Sequence, residues 1–136
     1  MAWWLFGYGL SYGETTQFIG NDPWFFATQG FEQIKFDHYL KFVLEFAYVV
    51  TCATAFSLPL AERTSLIAYL VYVFILAGFI YPTLVAWIWG GGWLQDKGFH
   101  DFAGSGVIHM TAGVSAFWGI LILGERYGKS KYRANI

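Results

Sequence analysis

Charged residues are scarce in this sequence. Asp, Glu, Lys and Arg together make up 12% of its 136 residues, whereas an ordinary soluble domain carries about 25%. The formal net charge of −1 also lacks the basic excess by which proteins bind nucleic acid, so no nucleic-acid partner is expected. Since 57% of the residues are hydrophobic, the composition excludes an ordinary soluble domain and favours an integral membrane protein.

Patterns typical of disulfides, metal sites and enzymes are missing as well. Cys52 is the only cysteine, which excludes an internal disulfide and leaves a buried, inert thiol as the simplest interpretation. The three histidines do not have metal-ligand spacing with one another or with Cys52. The glycines at 90–92 follow no strand and precede no Gly-Lys-Ser/Thr, so they are not a phosphate loop. No nucleophile–base pattern is visible. We therefore expect no enzyme, no metal and no cofactor.

What the sequence does contain is three apolar stretches long enough to cross a bilayer, each close to the 20 or so residues that a crossing helix needs. A further apolar stretch at the N-terminus is too short to cross, and it is interpreted as half of a helix. Because short alternating segments are missing, membrane β-strands are excluded. The expected fold class is all-α integral membrane, with about three full transmembrane helices and a partial N-terminal helix. The predicted elements are a half-helix at 1–12, a loop at 13–38, spans at about 39–60, 65–89 and 102–124, and a basic tail at 125–136.

Basic residues are unequally divided between the two ends of these spans. Three antiparallel spans bring Arg63 and the basic tail to one side, and the acidic loop at 13–38 to the other. The positive-inside rule then places the C-terminus in the cytoplasm or in the equivalent interior of an organelle. The sequence does not distinguish the plasma membrane from an organelle inner membrane such as the mitochondrial one.

Three residues interrupt the apolar pattern in ways that predict structure or function. Pro82 lies inside the second span, where its missing backbone donor predicts a kink. His109 lies inside the third span. An ionisable side chain at that depth must be paired, hydrated or lining a path, so it is a candidate functional residue. Asp101 directly precedes the third span and is predicted to be its N-cap.

Several motifs, in their order and spacing, resemble the ammonium transporter (Amt/Mep/Rh) family, closest to its plant-like and protist-like members. The motifs are Ala61-Glu62-Arg63-Thr64, Phe79-Ile80-Tyr81-Pro82, Trp87-Ile88-Trp89-Gly90-Gly91-Gly92-Trp93 and Asp101-Phe-Ala-Gly-Ser-Gly-Val-Ile-His109. The resemblance covers nearly the whole chain. It corresponds to the end of the second helix through the fifth of the eleven helices that the family's fold implies.

The resemblance implies roles for four residues. Trp89 matches the tryptophan of the external ammonium recruitment site, and Tyr48 matches an aromatic residue of the external gate. His109 matches the first of two pore histidines, and Asp101 matches a buried aspartate that supports the recruitment site. The residues alone leave other interpretations open. Trp89 is then an interfacial anchor and Tyr48 a packing residue. His109 is then a histidine hydrogen-bonded between helices, and Asp101 a helix cap.

Three positions depart from the family pattern. Leu44 stands where the resemblance implies phenylalanine, Glu45 where it implies glutamine, and Ala86 where it implies a polar residue or histidine. Glu45 therefore adds an uncompensated acid near the pore mouth, unless its side chain reaches out to the membrane interface.

Two functions follow as hypotheses. The first is a non-conducting accessory or structural subunit of a larger membrane protein complex, because the second half of the pore does not lie in these residues. The alternative is a segment of a functional ammonium (NH4+/NH3) channel. The expected partners are the lipid bilayer, other transmembrane subunits covering the face that bears His109, Thr111, Ser115 and Gly119, and ammonium if a full pore is completed.

Overall fold

The computed structural model describes residues 1–13, 16–20, 36–126 and 128–129, with 36–38 by backbone only. Most of the predicted loop at 13–38 lies outside the described residues, as do positions 127 and 130–136 of the predicted basic tail. The described helices are α1, formed by a π-helical stretch Trp3–Gly7 and by Tyr8–Tyr12; α2, Phe36–Ser57; α3, formed by Leu66–Ile75, a π turn Leu76–Ile80 and Tyr81–Ile88; α4, Trp93–Asp96; and α5, formed by a π turn Ser105–Met110 and by Thr111–Leu123.

Three stretches of this chain are long and apolar enough to cross a membrane: Tyr39–Ser57, Leu66–Asp96 and Ser105–Leu123. The all-α membrane fold class is thereby confirmed. The large apolar side chains that point away from the helix contacts, such as Val43, Ile67 and Ile122, are exposed. Exposed apolar side chains on spanning helices suit a lipid environment, in which every backbone polar group is satisfied within the helix.

A small apolar core lies where α1, α2, α3 and α5 meet. Its fully buried side chains include Trp3, Phe56, Tyr81, Val85 and Val107. α2 contributes a stripe in which Glu45, Val49, Cys52 and Phe56 follow one another at spacings of four, three and four residues, as expected for one face of a helix.

The N-terminal half-helix α1 packs closely against α3. A Cβ atom added to Gly7 would lie 2.9 Å from the backbone oxygen of Ala77, and one added to Gly78 would lie 2.4 Å from a ring carbon of Phe6. Ser11 is fully buried in this contact, and its hydroxyl donates to the carbonyl of Gly7 at 2.9 Å. Glycines let the two backbones approach. α1 therefore packs together with α2, α3 and α5 as one helical unit.

The disturbance expected at Pro82 takes the form of a π turn in front of the proline. The backbone N–H of Tyr81 bonds to the carbonyl of Leu76, five residues earlier rather than four. Proline has no backbone donor, and its ring crowds the carbonyl one turn back. Widening the preceding turn accommodates both effects, so α3 continues through Pro82 to Ile88.

The turn between α2 and α3 meets the C-terminal end of α5. Glu62 forms an ion pair with Arg126 at 2.8 Å, and the Arg63 guanidinium donates to the carbonyl of Gly124. These contacts bring Arg63 and Arg126 to the same end of the helical unit.

The small residues of α5 do not share one outward face, which corrects part of the sequence interpretation. Thr111 is 7% exposed, and a Cβ atom on Gly119 would lie 2.9 Å from Leu60 Cδ2. Both positions therefore lie on the inner side of α5, where α5 contacts the rest of this chain. His109 lies on the other side of α5 and is exposed. The placement of Thr111 and Gly119, two turns apart on one side of α5, is explained by packing within the chain rather than by a partner.

We expect Gly90→Ala to destabilise the helical unit by about 1–3 kcal/mol, the usual range for overpacking. A Cβ atom on Gly90 would lie 2.3 Å from the backbone oxygen of Ser11, which has no rotamer by which to move away. The measurement is unfolding of the chain in detergent micelles, followed by circular dichroism. Gly113→Ala is the matched control, because nothing lies within 4 Å of the added atom, and it should be neutral or slightly stabilising. Equal stability of the two variants would contradict the close α1–α3 contact.

Candidate functional site

The site is built around the carboxylate of Asp101, in the loop before α5. Its Oδ1 accepts backbone N–H groups of Gly104 at 2.8 Å and Ser105 at 3.1 Å, and its Oδ2 accepts those of Gly106 and Val107, both at 2.8 Å. The first N–H groups of a helix have no partner within the helix. One buried side chain, 6% exposed, therefore satisfies the whole beginning of α5.

The predicted capping role of Asp101 needs one correction. The helix begins at Ser105 rather than at Phe102, and Gly104 occupies the N-cap position with φ of 88°. That left-handed conformation favours glycine, and it turns the chain so that the carboxylate of Asp101, three residues earlier, faces the helix end. Asp101 therefore caps α5 from outside the N-cap position.

The charge of Asp101 is stabilised by the same geometry. Burial by itself raises the pKa of this carboxyl, but the hydrogen bonds from Val107, Gly104, Gly106 and Ser105 outweigh burial and hold the pKa below its ordinary value. The positive end of the α5 dipole acts in the same direction. Asp101 is therefore a fixed negative charge near the start of the third span.

Trp89 connects this loop to the end of α3. Its indole Nε1 donates to the backbone oxygen of Asp101 at 2.8 Å. Asp101 thus holds α5 through its carboxylate and α3 through its carbonyl. This hydrogen bond fixes the orientation of the Trp89 side chain.

Tyr48 of α2 lies against the ring of Trp89. The two ring centroids are 5.9 Å apart with the planes tilted by 48°, and both side chains are half-buried. Electron-rich aromatic faces attract a cation that lies within about 6 Å of the ring centroid. The structure therefore brings together three residues, Tyr48, Trp89 and Asp101, that the sequence singled out separately.

His109 lies apart from this cluster. It belongs to the π turn that opens α5, and its backbone N–H donates to the carbonyl of Gly104 at 3.0 Å. Its side chain is exposed on the outer face of α5 and makes no hydrogen bond to any residue that the structure describes. His109, the fourth candidate residue, therefore faces the surroundings of the helical unit.

The side chain of Glu45 is buried inside the helical unit and does not extend outward, which corrects the interpretation drawn from its sequence position. It is 6% exposed, and its Oε1 accepts the hydroxyl of Tyr12 at 2.5 Å. The ammonium of Lys41 lies 3.7 Å from the centroid of the Tyr12 ring. The sequence signal for this burial is the stripe shared with Val49 and Cys52, which places Glu45 on the inner face of α2.

The described residues contain no group of three or more His, Cys, Asp or Glu that could hold a metal ion. What the site offers instead is a fixed negative charge behind two aromatic faces, on a polytopic α-helical membrane protein.

Comparison with known proteins identifies the class more closely. The chain belongs to the ammonium transporter family, because the sequence profile described as Ammonium Transporter Family matches residues 1–136.

Three relatives illustrate the similarity, each aligned over 95% of this chain. Ammonium transporter 1 member 3 of Solanum lycopersicum is 36% identical, and ammonium transporter 1 member 2 of Oryza sativa subsp. japonica is 40% identical. Ammonium transporter 1 member 2 of Arabidopsis thaliana is 35% identical. The chain spans less than a third of the length of these relatives, namely 29%, 28% and 27%.

We expect Asp101→Ala to destabilise the chain by about 1–3 kcal/mol, since it leaves buried backbone donors without an acceptor. Asp96→Ala is the matched control, because Asp96 is exposed on α4. Unfolding by SDS in mixed micelles measures both variants. An effect of Asp101→Ala no larger than that of Asp96→Ala would contradict the capping role.

The contribution of Asp101 to the free energy of unfolding should also depend on pH, and it should decrease in acid. A carboxyl whose pKa is lower in the folded state stabilises the fold above its unfolded value of about 3.9, and this stabilisation is lost as the pH falls through the folded pKa. The difference between wild type and Asp101→Ala should therefore be constant between pH 5 and 8 and shrink only in stronger acid.

Proposed function

We propose that residues 1–136 do not conduct ammonium by themselves and serve as a structural section of a larger membrane assembly. The observation that carries this proposal is the exposure of His109 on the outer face of α5. A conduction path needs a wall on each side, and the described residues supply one side only. An ionisable side chain at membrane depth also costs several kcal/mol when it faces lipid, so another protein surface must cover it.

The shape of the outer face of α5 supports a transmembrane helix as the covering partner. Gly113 lies one turn after His109, is exposed, and has nothing within 4 Å of the position of its missing Cβ. Small residues at a helix surface permit close approach of a second helix in a membrane. The covering helix can belong to a further part of the same protein or to another subunit.

A second candidate function is supported by the site cluster. Tyr48, Trp89 and Asp101 keep the arrangement that a cation-recruiting mouth needs, and the relatives are named ammonium transporters. In this candidate the segment is one wall of a functional ammonium channel. Trp89 and Tyr48 recruit the cation, Asp101 supports them, and His109 lines the path once it is covered.

The orientation in the membrane is part of the proposal. Arg63 and Arg126 lie at one end of the helical unit. The positive-inside rule favours placing that end in the cytoplasm or in the equivalent interior of an organelle.

We expect the purified 136-residue chain in liposomes to take up no more methylammonium than empty liposomes do. The liposome does not contain the second wall of the conduction path. His109→Ala should therefore show the same background uptake of methylammonium as the matched control His100→Ala, a change in an exposed loop. Uptake above background that His109→Ala abolishes and His100→Ala retains would overturn the proposal.

The same pair of variants in the native membrane separates the two candidate functions. If the segment is purely structural, His109→Ala and His100→Ala leave cellular methylammonium uptake equal, provided both variants are present at the wild-type level. If the segment is one wall of a channel, His109→Ala alone reduces that uptake.

Covering of the outer α5 face has its own test. A photo-crosslinking amino acid at Phe117, which is exposed on α5 one turn after Gly113, should form a cross-link to protein in native membranes. The same probe at Ala112, which is buried within the chain, is the control and should give internal products only. Recovery of lipid adducts alone from position 117 would show that lipid covers this face.

A further inference from the structure

An apolar cavity of about 220 Å³ lies between α2, α3 and α5, at the end of the helical unit that carries Arg63. Phe56 and Tyr72 form one wall as a parallel stack, with ring centroids 4.3 Å apart and planes 6° apart. Gly119 keeps another part of the cavity open, since a Cβ atom there would lie 2.9 Å from Leu60 Cδ2. Large apolar cavities stay dry, so an apolar group suits this one.

A second cavity of about 370 Å³ adjoins the apolar one, and the two share Thr64 and Tyr69. It lies beside the turn between α2 and α3 and is also lined by Ser57. The Ser57 hydroxyl donates to the carbonyl of Thr54 at 2.7 Å, and the Thr64 hydroxyl donates to that of Leu60 at 3.1 Å. Both hydroxyl oxygens can still accept hydrogen bonds. The two cavities together form one groove, apolar along the helices and polar beside the turn.

Arg63 lies at the polar end of this groove. The next residue, Thr64, lines both cavities, and the Arg63 guanidinium donates to the carbonyl of Gly124. Gly124 in turn follows Leu123, another lining residue. A further N–H of Arg63 donates to the carbonyl of Pro59 at 3.2 Å. Both acceptors are neutral, and no acid among the residues that the structure describes pairs with Arg63. The guanidinium therefore keeps an unbalanced charge and further N–H donors for an anionic group.

A phospholipid matches this groove along its length. An acyl chain is apolar and narrow, whereas a helix about 10 Å across is too wide for the cavity. Basic residues at a membrane surface attract anionic lipids. We propose that the groove binds one anionic phospholipid from the leaflet on the Arg63 side. Its acyl chain lies against the Phe56–Tyr72 stack and its headgroup lies at Arg63 and Thr64, so that the lipid joins α2, α3 and α5 at this end.

The test is photolabelling of the full 136-residue chain in phosphatidylcholine nanodiscs that contain a small fraction of phosphatidylserine with a diazirine in one acyl chain. We expect adducts on the peptides that line the groove, mapped by mass spectrometry. Unlabelled phosphatidylserine should displace them. Phosphatidylcholine that carries the same diazirine, at the same fraction, should label these peptides about fivefold less, because it lacks the net negative charge.

Two pairs of variants locate the lipid. Ala68→Phe should remove the labelling, because Ala68 lines the cavity and the added ring takes the place of the acyl chain. Ala47→Phe is the matched control, since Ala47 is exposed on α2 outside the groove, and it should retain the labelling. If Ala68→Phe does not fold by circular dichroism, Arg63 carries the test. Arg63→Gln should make the two lipids label equally, whereas Arg63→Lys keeps the charge and should keep the preference.

Three results would overturn the lipid site. One is labelling that does not saturate and that spreads evenly over exposed apolar side chains such as Val43. Another is equal labelling of the wild-type chain by the two lipids. The third comes from a photo-crosslinking amino acid at Ile122, which lines the cavity and is 81% exposed. Cross-links to protein alone from that position in native membranes would show that protein fills the groove.

Discussion

The hydrogen bonds between Asp101 and the beginning of α5 are the interaction on which the site depends. Four backbone N–H groups converge on one carboxylate, and in a membrane protein each of them is costly to leave unsatisfied. The same residue accepts the indole N–H of Trp89 through its backbone oxygen. The position of Trp89, and with it the contact to Tyr48, therefore follows from how α5 is capped.

Close packing through glycine is the second constraint, and it coincides with the irregular stretches of α1 and α3. The π-helical stretch of α1 lies beside the π turn of α3, and Gly7 and Gly78 belong to this contact. π turns are frequent at functional positions in helices. The π turn at the start of α5 includes His109, so the local widening of that helix coincides with the one candidate residue that faces outward.

The interior of this unit contains buried polar groups. Glu45 bonds to Tyr12 between α1 and α2, and the hydroxyl of Tyr81 is buried in the core. Polar groups inside a membrane are expensive and are retained where they bind, conduct or position something. Through Glu45, the packing of α1 is connected to the segment of α2 that carries Tyr48 and its contact with Trp89.

The sequence by itself determined the number of spans, the all-α class and the importance of Asp101, because length, lack of charge and the residue before a span depend on local chemistry alone. Only the tertiary structure decided which side of each helix faces inward. In a soluble protein the polar face of a helix points to water, but a spanning helix is apolar on all sides, so its pattern carries little information about direction. For that reason Thr111 and Gly119 lie against the rest of this chain while His109 lies outside. The hydrogen-bond partner of Glu45 was equally hidden from the sequence, since Tyr12 lies 33 residues away in the half-helix α1.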